Sequence, residues 1–67
     1  MTFAEATLEA WRDYDVCAYT TDGQAIYGVL VGGGANYLVL LRLENREIIN
    51  AAHIIQVIPR MKQDDGS

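Results

Sequence analysis

The residues whose types could do chemistry are few: one histidine, His53; one cysteine, Cys17; a Gly32-Gly33-Gly34 run with Asn36 behind it; and tyrosines at positions 19, 27 and 37. One histidine and one cysteine cannot form a Cys/His zinc cluster, and a lone cysteine has no partner for an intrachain disulfide. Cys17 lies in a β-rich run with no base beside it, so it reads as a small core hydrophobe. His53 has no partnered serine, cysteine or paired carboxylate, which is poor material for acid–base or nucleophilic catalysis. The glycine run lacks the Lys-Ser/Thr that completes a phosphate loop and opens a strand rather than a helix. No catalysis, metal or cofactor is expected. Recognition is the chemistry that remains. Asn36 can donate to and accept from a base edge, and each tyrosine could stack a base for about 1–3 kcal/mol. Plainer roles compete with these. Asn36 suits a turn, the tyrosines suit cross-strand packing, and His53 suits an exposed position beside apolar strands. Arg42 and Arg46 could touch phosphate, but pairing with Glu44 or Glu47 on a solvated face is more ordinary.

These residues need elements to hold them. Thr2-Phe3-Ala4-Glu5 reads as a capping box, with Thr2 as N-cap and Glu5 reaching back. Ala4, Leu8 and Trp11 follow at helical spacing, so a short helix is expected over 3–12, anchored by Trp11. From Asp15 the period changes to that of strands. Val16–Thr21 ends in Asp22-Gly23, a two-residue hairpin signal. Gln24–Val31 is the second strand, Tyr37–Leu43 the third, Glu47–Asn50 the fourth, and Ile54–Ile58 the fifth, stopped by Pro59. Gly28 permits a strong bend within its strand, and Gly32–Gly34 can take backbone angles closed to other residues, so a sharp turn is expected there. Residues 61–67 read as a disordered C-terminal tail. The fold class expected is mostly β: a short N-terminal α-helix followed by a five-stranded, strongly bent antiparallel barrel of SH3-like or OB-like outline.

A 67-residue chain forms one domain, buries only about 60% of its unfolded surface and is marginal alone. Yet 51% of its residues are hydrophobic. With disulfide and metal excluded, self-association is expected to supply the missing burial. The last strand, apolar on both faces, would be a hazardous edge unless another subunit covered it. The formal charge of −4 argues against broad nonspecific nucleic-acid binding. No apolar run approaches the roughly 18 residues of a membrane span, and with no export signal at the N-terminus a cytoplasmic location is expected.

The order of elements resembles the Sm-like family, including its Hfq branch, over about residues 3–60. Tyr19-Thr20-Thr21-Asp22-Gly23-Gln24-Ala25-Ile26-Tyr27-Gly28 is similar to the Hfq stretch with an aromatic, an Asn/Asp-Gly turn and a glycine five residues later. Gly28-Val29-Leu30 with Asn36-Tyr37-Leu38-Val39-Leu40 resembles the first Sm motif, with a loop of Hfq length. Ile48 to Pro59 falls where the second motif and final strand belong. This resemblance implies an Sm-like barrel over residues 1–60 and a homo-oligomeric ring of five to seven subunits. The fourth strand of one subunit would pair with the fifth of the next, which places Ile48, Ile49, Ile55 and Val57 at the interface. It also implies single-stranded RNA as ligand, at the pore or on one face, with Asn36, Asn50 and His53 at the pore and Tyr19, Gly23 and Gln24 on the opposite face. The chain departs from the pattern in its cationic pore element: Asn50-Ala51 stands where Arg-Gly is usual, and glycine occupies the place of the acidic loop residue. A ring acting as a protein-interaction scaffold without RNA is therefore the alternative.

Overall fold

The computed structural model describes residues 1–62. Helix α1 spans Phe3–Trp11 and is followed by strands β1 (Tyr14–Thr20), β2 (Ala25–Gly33), β3 (Tyr37–Arg42), β4 (Asn45–Asn50) and β5 (Ile54–Lys62), with a 3-10 turn, Ala51–His53, between the last two. The capping box forms as the sequence predicts. The Glu5 N–H donates to the Thr2 hydroxyl at 3.2 Å, and the Thr2 N–H donates to the Glu5 carboxylate at 2.9 Å. The helix exit is fixed by the Asp13 N–H, which donates to the Leu30 carbonyl at 2.8 Å.

The strands form one antiparallel sheet in the order β4-β3-β2-β1-β5. Strand β2 is shared between its neighbours: Ala25–Val29 pairs with β1, and Val29–Gly33 pairs with β3. Gly28 sits at this changeover for a steric reason. A Cβ there would meet the Leu41 carbonyl oxygen at 2.9 Å and the Leu40 Cβ at 3.2 Å, so a side chain would push β3 away. Helix and strand number thus follow the sequence reading, and the hairpin falls at Asp22-Gly23, but its loop is three residues, Thr21–Gly23, rather than two, because Thr20 pairs with Gln24.

Three local expectations are corrected. Gly32 and Gly33 do not turn sharply; they complete β2, and among the described residues Gly23 is the glycine that takes a positive φ, at 85°. At Gly33 and Gly34, though not at Gly32, β3 and its Tyr37 lie too close for a side chain. A Cβ on Gly33 would meet the Tyr37 carbonyl at 2.7 Å, and one on Gly34 would meet the Tyr37 ring at 2.5 Å. Second, the β3–β4 turn is only Leu43-Glu44, with Leu43 at φ 58°, so β4 starts at Asn45 rather than Glu47. Third, Pro59 does not stop β5. As an edge strand, β5 can place a residue without an N–H where no ladder bond is needed, and pairing resumes after a register shift with Asp15 opposite Met61. Met61 and Lys62, read as tail, belong to this strand; residues 63–67 of that tail lie outside the described residues.

The core comprises Ala4 of α1 with Val16, Ala18, Leu30, Leu38, Leu40, Ile49 and Ile54 of the sheet. Leu8 and Trp11 lay the helix against it, and Trp11 meets Tyr14 edge-on with ring centres 5.1 Å apart. Thr7, a residue the helical stripe omits, is also buried. Cys17 is buried too, on the opposite face of β1 from Val16 and Ala18, between Tyr27 of β2 and Ile58 of β5. The isoleucine-rich edges split in two ways: Ile48 and Ile49 by strand alternation, and Ile55 from Val57 by a bulge, since the register shifts between Tyr19 opposite Gln56 and Thr20 opposite Ile54 and leaves Ile55 unpaired. Ile48 is 72% exposed and Ile55 65% exposed, whereas Ile49 and Val57 turn inward against the core.

Candidate functional site

The Ala51–His53 turn organises one end of the sheet. Asn50 caps it, its side-chain oxygen accepting the Ala52 N–H at 2.9 Å. On one side the Ala51 N–H donates to the Asn36 carbonyl at 2.8 Å; on the other the Thr21 N–H donates to the His53 carbonyl at 2.8 Å. Two backbone bonds from three residues therefore draw the β2–β3 connection and the β1–β2 hairpin to the same end. Asn36 and Asn50 adjoin the turn at Ala51, while His53 lines one hollow with Gln24 beside Gly23, although the resemblance sets His53 and Gln24 on opposite faces; all five are exposed. Tyr19 lies on the outer face of β1, opposite Ala25 and Gln56 in register.

The hairpin is built around Thr20, which is buried. Its hydroxyl donates to the Asp22 carboxylate and accepts the Gln24 N–H at 3.3 Å. The Gly23 N–H donates to the Thr20 carbonyl at 3.0 Å, and the Thr20 N–H to the Gln24 carbonyl at 3.0 Å. Gly23 is needed for its backbone angle alone, since nothing lies within 4 Å of a Cβ placed there. Between this hairpin and the 3-10 turn lies a hollow of about 380 Å³ lined by Thr20, Asp22, Gln24, Ile26 and His53. Gln24 and His53 were legible as candidates. Thr20, Asp22 and Ile26 stand in the Hfq-like stretch as strand and turn residues without a binding role, although Thr-x-Asp-Gly does signal side-chain-to-backbone bonding at a turn.

Electrostatics give the hollow a fixed negative group. The Thr20 hydroxyl holds the Asp22 carboxyl below its ordinary value of 3.8, assisted by the Gln24 and Asp22 backbone and by the nearby His53, against an opposing desolvation effect. The sign follows directly: a depressed folded-state value contributes stability that is present above about pH 4 and lost as pH falls through the folded value. Thermal unfolding followed against pH should show that acid-labile component in the native chain and not in Asp22→Asn. On the outer face, hydrogen bonding to the Cys17 thiol, together with the thiol's charge when ionised, pushes the Tyr19 hydroxyl above 10.0.

The remaining candidates have packing roles. Tyr37 covers Gly34. The Arg60 guanidinium lies 5.0 Å from the centre of the Tyr27 ring and 3.9 Å from Asp15. Arg42 pairs with Glu47 at 3.9 Å, across a partly exposed surface where such a pair is worth little. Among the described residues no group of three His, Cys, Asp or Glu side chains could hold a metal ion, and no helix is long and apolar enough to cross a membrane. The chain matches no protein-family model and no curated protein.

Proposed function

We propose that this chain is an Sm-like subunit that closes through its β4 and β5 edges into a homo-oligomeric ring and binds single-stranded RNA with the polar end built on the 3-10 turn. The observation that carries the reading is the strand order. A sheet running β4-β3-β2-β1-β5 leaves β4 and β5 as its two edges, and each edge carries an exposed isoleucine, Ile48 and Ile55. Such edges are a liability on an isolated small domain and a pairing device in an assembly. In a ring each β4 edge meets a neighbour's β5 edge, the sheet continues between subunits as a bent barrel wall, and the polar ends repeat around one axis. The ring acts in the cytoplasm and performs no catalysis.

Asn36, Gln24 and His53 then offer polar contacts to unstacked bases, while Arg42, Arg46 and Arg60 lie on other parts of the sheet. Base contacts rather than phosphate contacts would dominate. Fluorescence polarisation with oligo-U and oligo-A should therefore show affinity that falls only shallowly with salt, with a log–log slope of magnitude below about 2. A steep slope, or no binding at low salt, counts against RNA as the ligand. Two observations favour a second reading, a ring that recognises protein: the charge of −4, and the commitment of the Asn50 side-chain oxygen to the Ala52 N–H. A pull-down from nuclease-treated lysate, set beside the oligonucleotide titrations, separates the two.

A further inference from the structure

We infer that the hollow between the β1–β2 hairpin and the 3-10 turn is a guanine-selective base pocket, in which the Asp22 carboxylate reads the base edge and Gln24 reads its carbonyl. The inference deepens the RNA-binding reading and rests on it for its ligand.

Size comes first. A volume of about 380 Å³ lies at the small end of ligand pockets, which run from about 300 to 1,000 Å³, and suits one base rather than an oligonucleotide. The second consideration is the donor and acceptor set. Thr20 supplies one hydrogen bond to Asp22, at Oδ1. A carboxylate has about four lone-pair positions over its two oxygens, so acceptor capacity remains for a pair of parallel donors. A carboxylate fixed as an acceptor discriminates among bases by exclusion. Guanine presents two adjacent N–H donors on its Watson–Crick edge. Adenine and cytosine each present an amino donor beside a ring nitrogen acceptor, and uracil presents one N–H flanked by two carbonyls. Each of these three sets a lone pair against a negative oxygen, and such unpaired or repulsive contacts are what a polar site rejects most strongly.

The other lining groups fit the same ligand. The Gln24 amide can donate to the guanine carbonyl oxygen. Ile26 and His53 also line the hollow, residue types that can offer aliphatic and aromatic surface to a base plane. The position of the pocket is also set before any ligand arrives. The Thr20 bonds hold Asp22 and Gln24 in the hairpin, and the Thr21 to His53 backbone bond holds the opposite wall.

The test titrates the full chain with GMP, AMP, UMP and CMP, read by calorimetry and by the NMR shifts of His53 and Gln24. GMP should bind at least about tenfold tighter than the others. Asp22→Asn should abolish that preference while keeping the fold, because Asn-Gly is a favoured hairpin turn; circular dichroism checks the fold, and Gln24→Ala serves as a second variant that should weaken GMP alone. Equal binding of all four nucleotides, binding of none, or a preference that survives Asp22→Asn overturns the inference. So does N-acetylarginine amide competing GMP out at equal or lower concentration, which would assign the pocket to a protein guanidinium. Parallel titrations with U6 and with a U6 carrying one central guanine separate this inference from the broader reading. Oligonucleotides that bind regardless of guanine or of Asp22 sink the pocket and leave RNA binding standing. Selective GMP binding with no oligonucleotide binding sustains the pocket and sinks the RNA reading.

Discussion

If the chain closes into the proposed ring, Ile48→Asp and Ile55→Asp should each yield monomers. Both side chains are mostly exposed in the isolated subunit, so neither change removes a core contact, and the cost falls on association. Burying an isoleucine is worth about 1.5–3 kcal/mol, and a charge in its place must be desolvated against a neighbouring strand. Because a symmetric ring repeats the contact at every interface, the loss per interface is about tenfold to a hundredfold in affinity and is incurred at each joint. Sedimentation at micromolar concentration reads the result. Leu43→Asp is the matched control. Leu43 is 89% exposed in the β3–β4 turn with φ 58°, a backbone region that aspartate tolerates better than leucine. The control should keep its assembly. Dissociation by Leu43→Asp, or persistence with Ile55→Asp, contradicts edge pairing.

Leu30→Ala unfolds the subunit at a far lower temperature. Leu30 is fully buried, and its position joins three parts of the fold. Its side chain lies in the core cluster with Ala4 of the helix, its ladder partner is Leu40, and its carbonyl accepts the Asp13 N–H at 2.8 Å. Truncating a buried leucine costs about 2–5 kcal/mol, against a total stability that for most domains is only about 5–15 kcal/mol. For a domain of this size, a melting temperature lower by more than about 10 °C is expected. Calorimetry measures it, and a shift below about 2 °C would mean that the core is not where these side chains converge.

The elements were legible where local chemistry decides them. Thr2 and Glu5 announce the helix start by a capping box three residues apart, and Asp22-Gly23 announces the hairpin because Gly23 needs its positive φ. Illegible features depend on contacts distant in sequence. Gly32-Gly33 looks like a turn, but Gly33 is required because the Tyr37 carbonyl of β3 lies where its Cβ would be, while Gly32 meets no such close contact. Pro59 looks like a stop, yet it is tolerated because β5 borders the sheet, which no local pattern reveals. Ile48 and Ile49 are equally apolar, and only register determines that one faces the core and the other faces out. The site divides in the same way. Gln24 and His53 could be singled out as polar residues near turns, but their common hollow with Asp22 exists only because the Thr21 N–H meets the His53 carbonyl, 32 positions along the chain. Asn50 illustrates the reverse: a residue of recognition type whose oxygen is engaged in capping.

Pairing of β4 with β5 between subunits is the claim on which assembly, the repeated polar end and local concentration of binding sites all depend. Light scattering on the chromatographically purified chain measures it most directly. A single species of five to seven times 7.4 kDa is the expected mass, unchanged on dilution through the micromolar range. A 7.4 kDa monomer would contradict it.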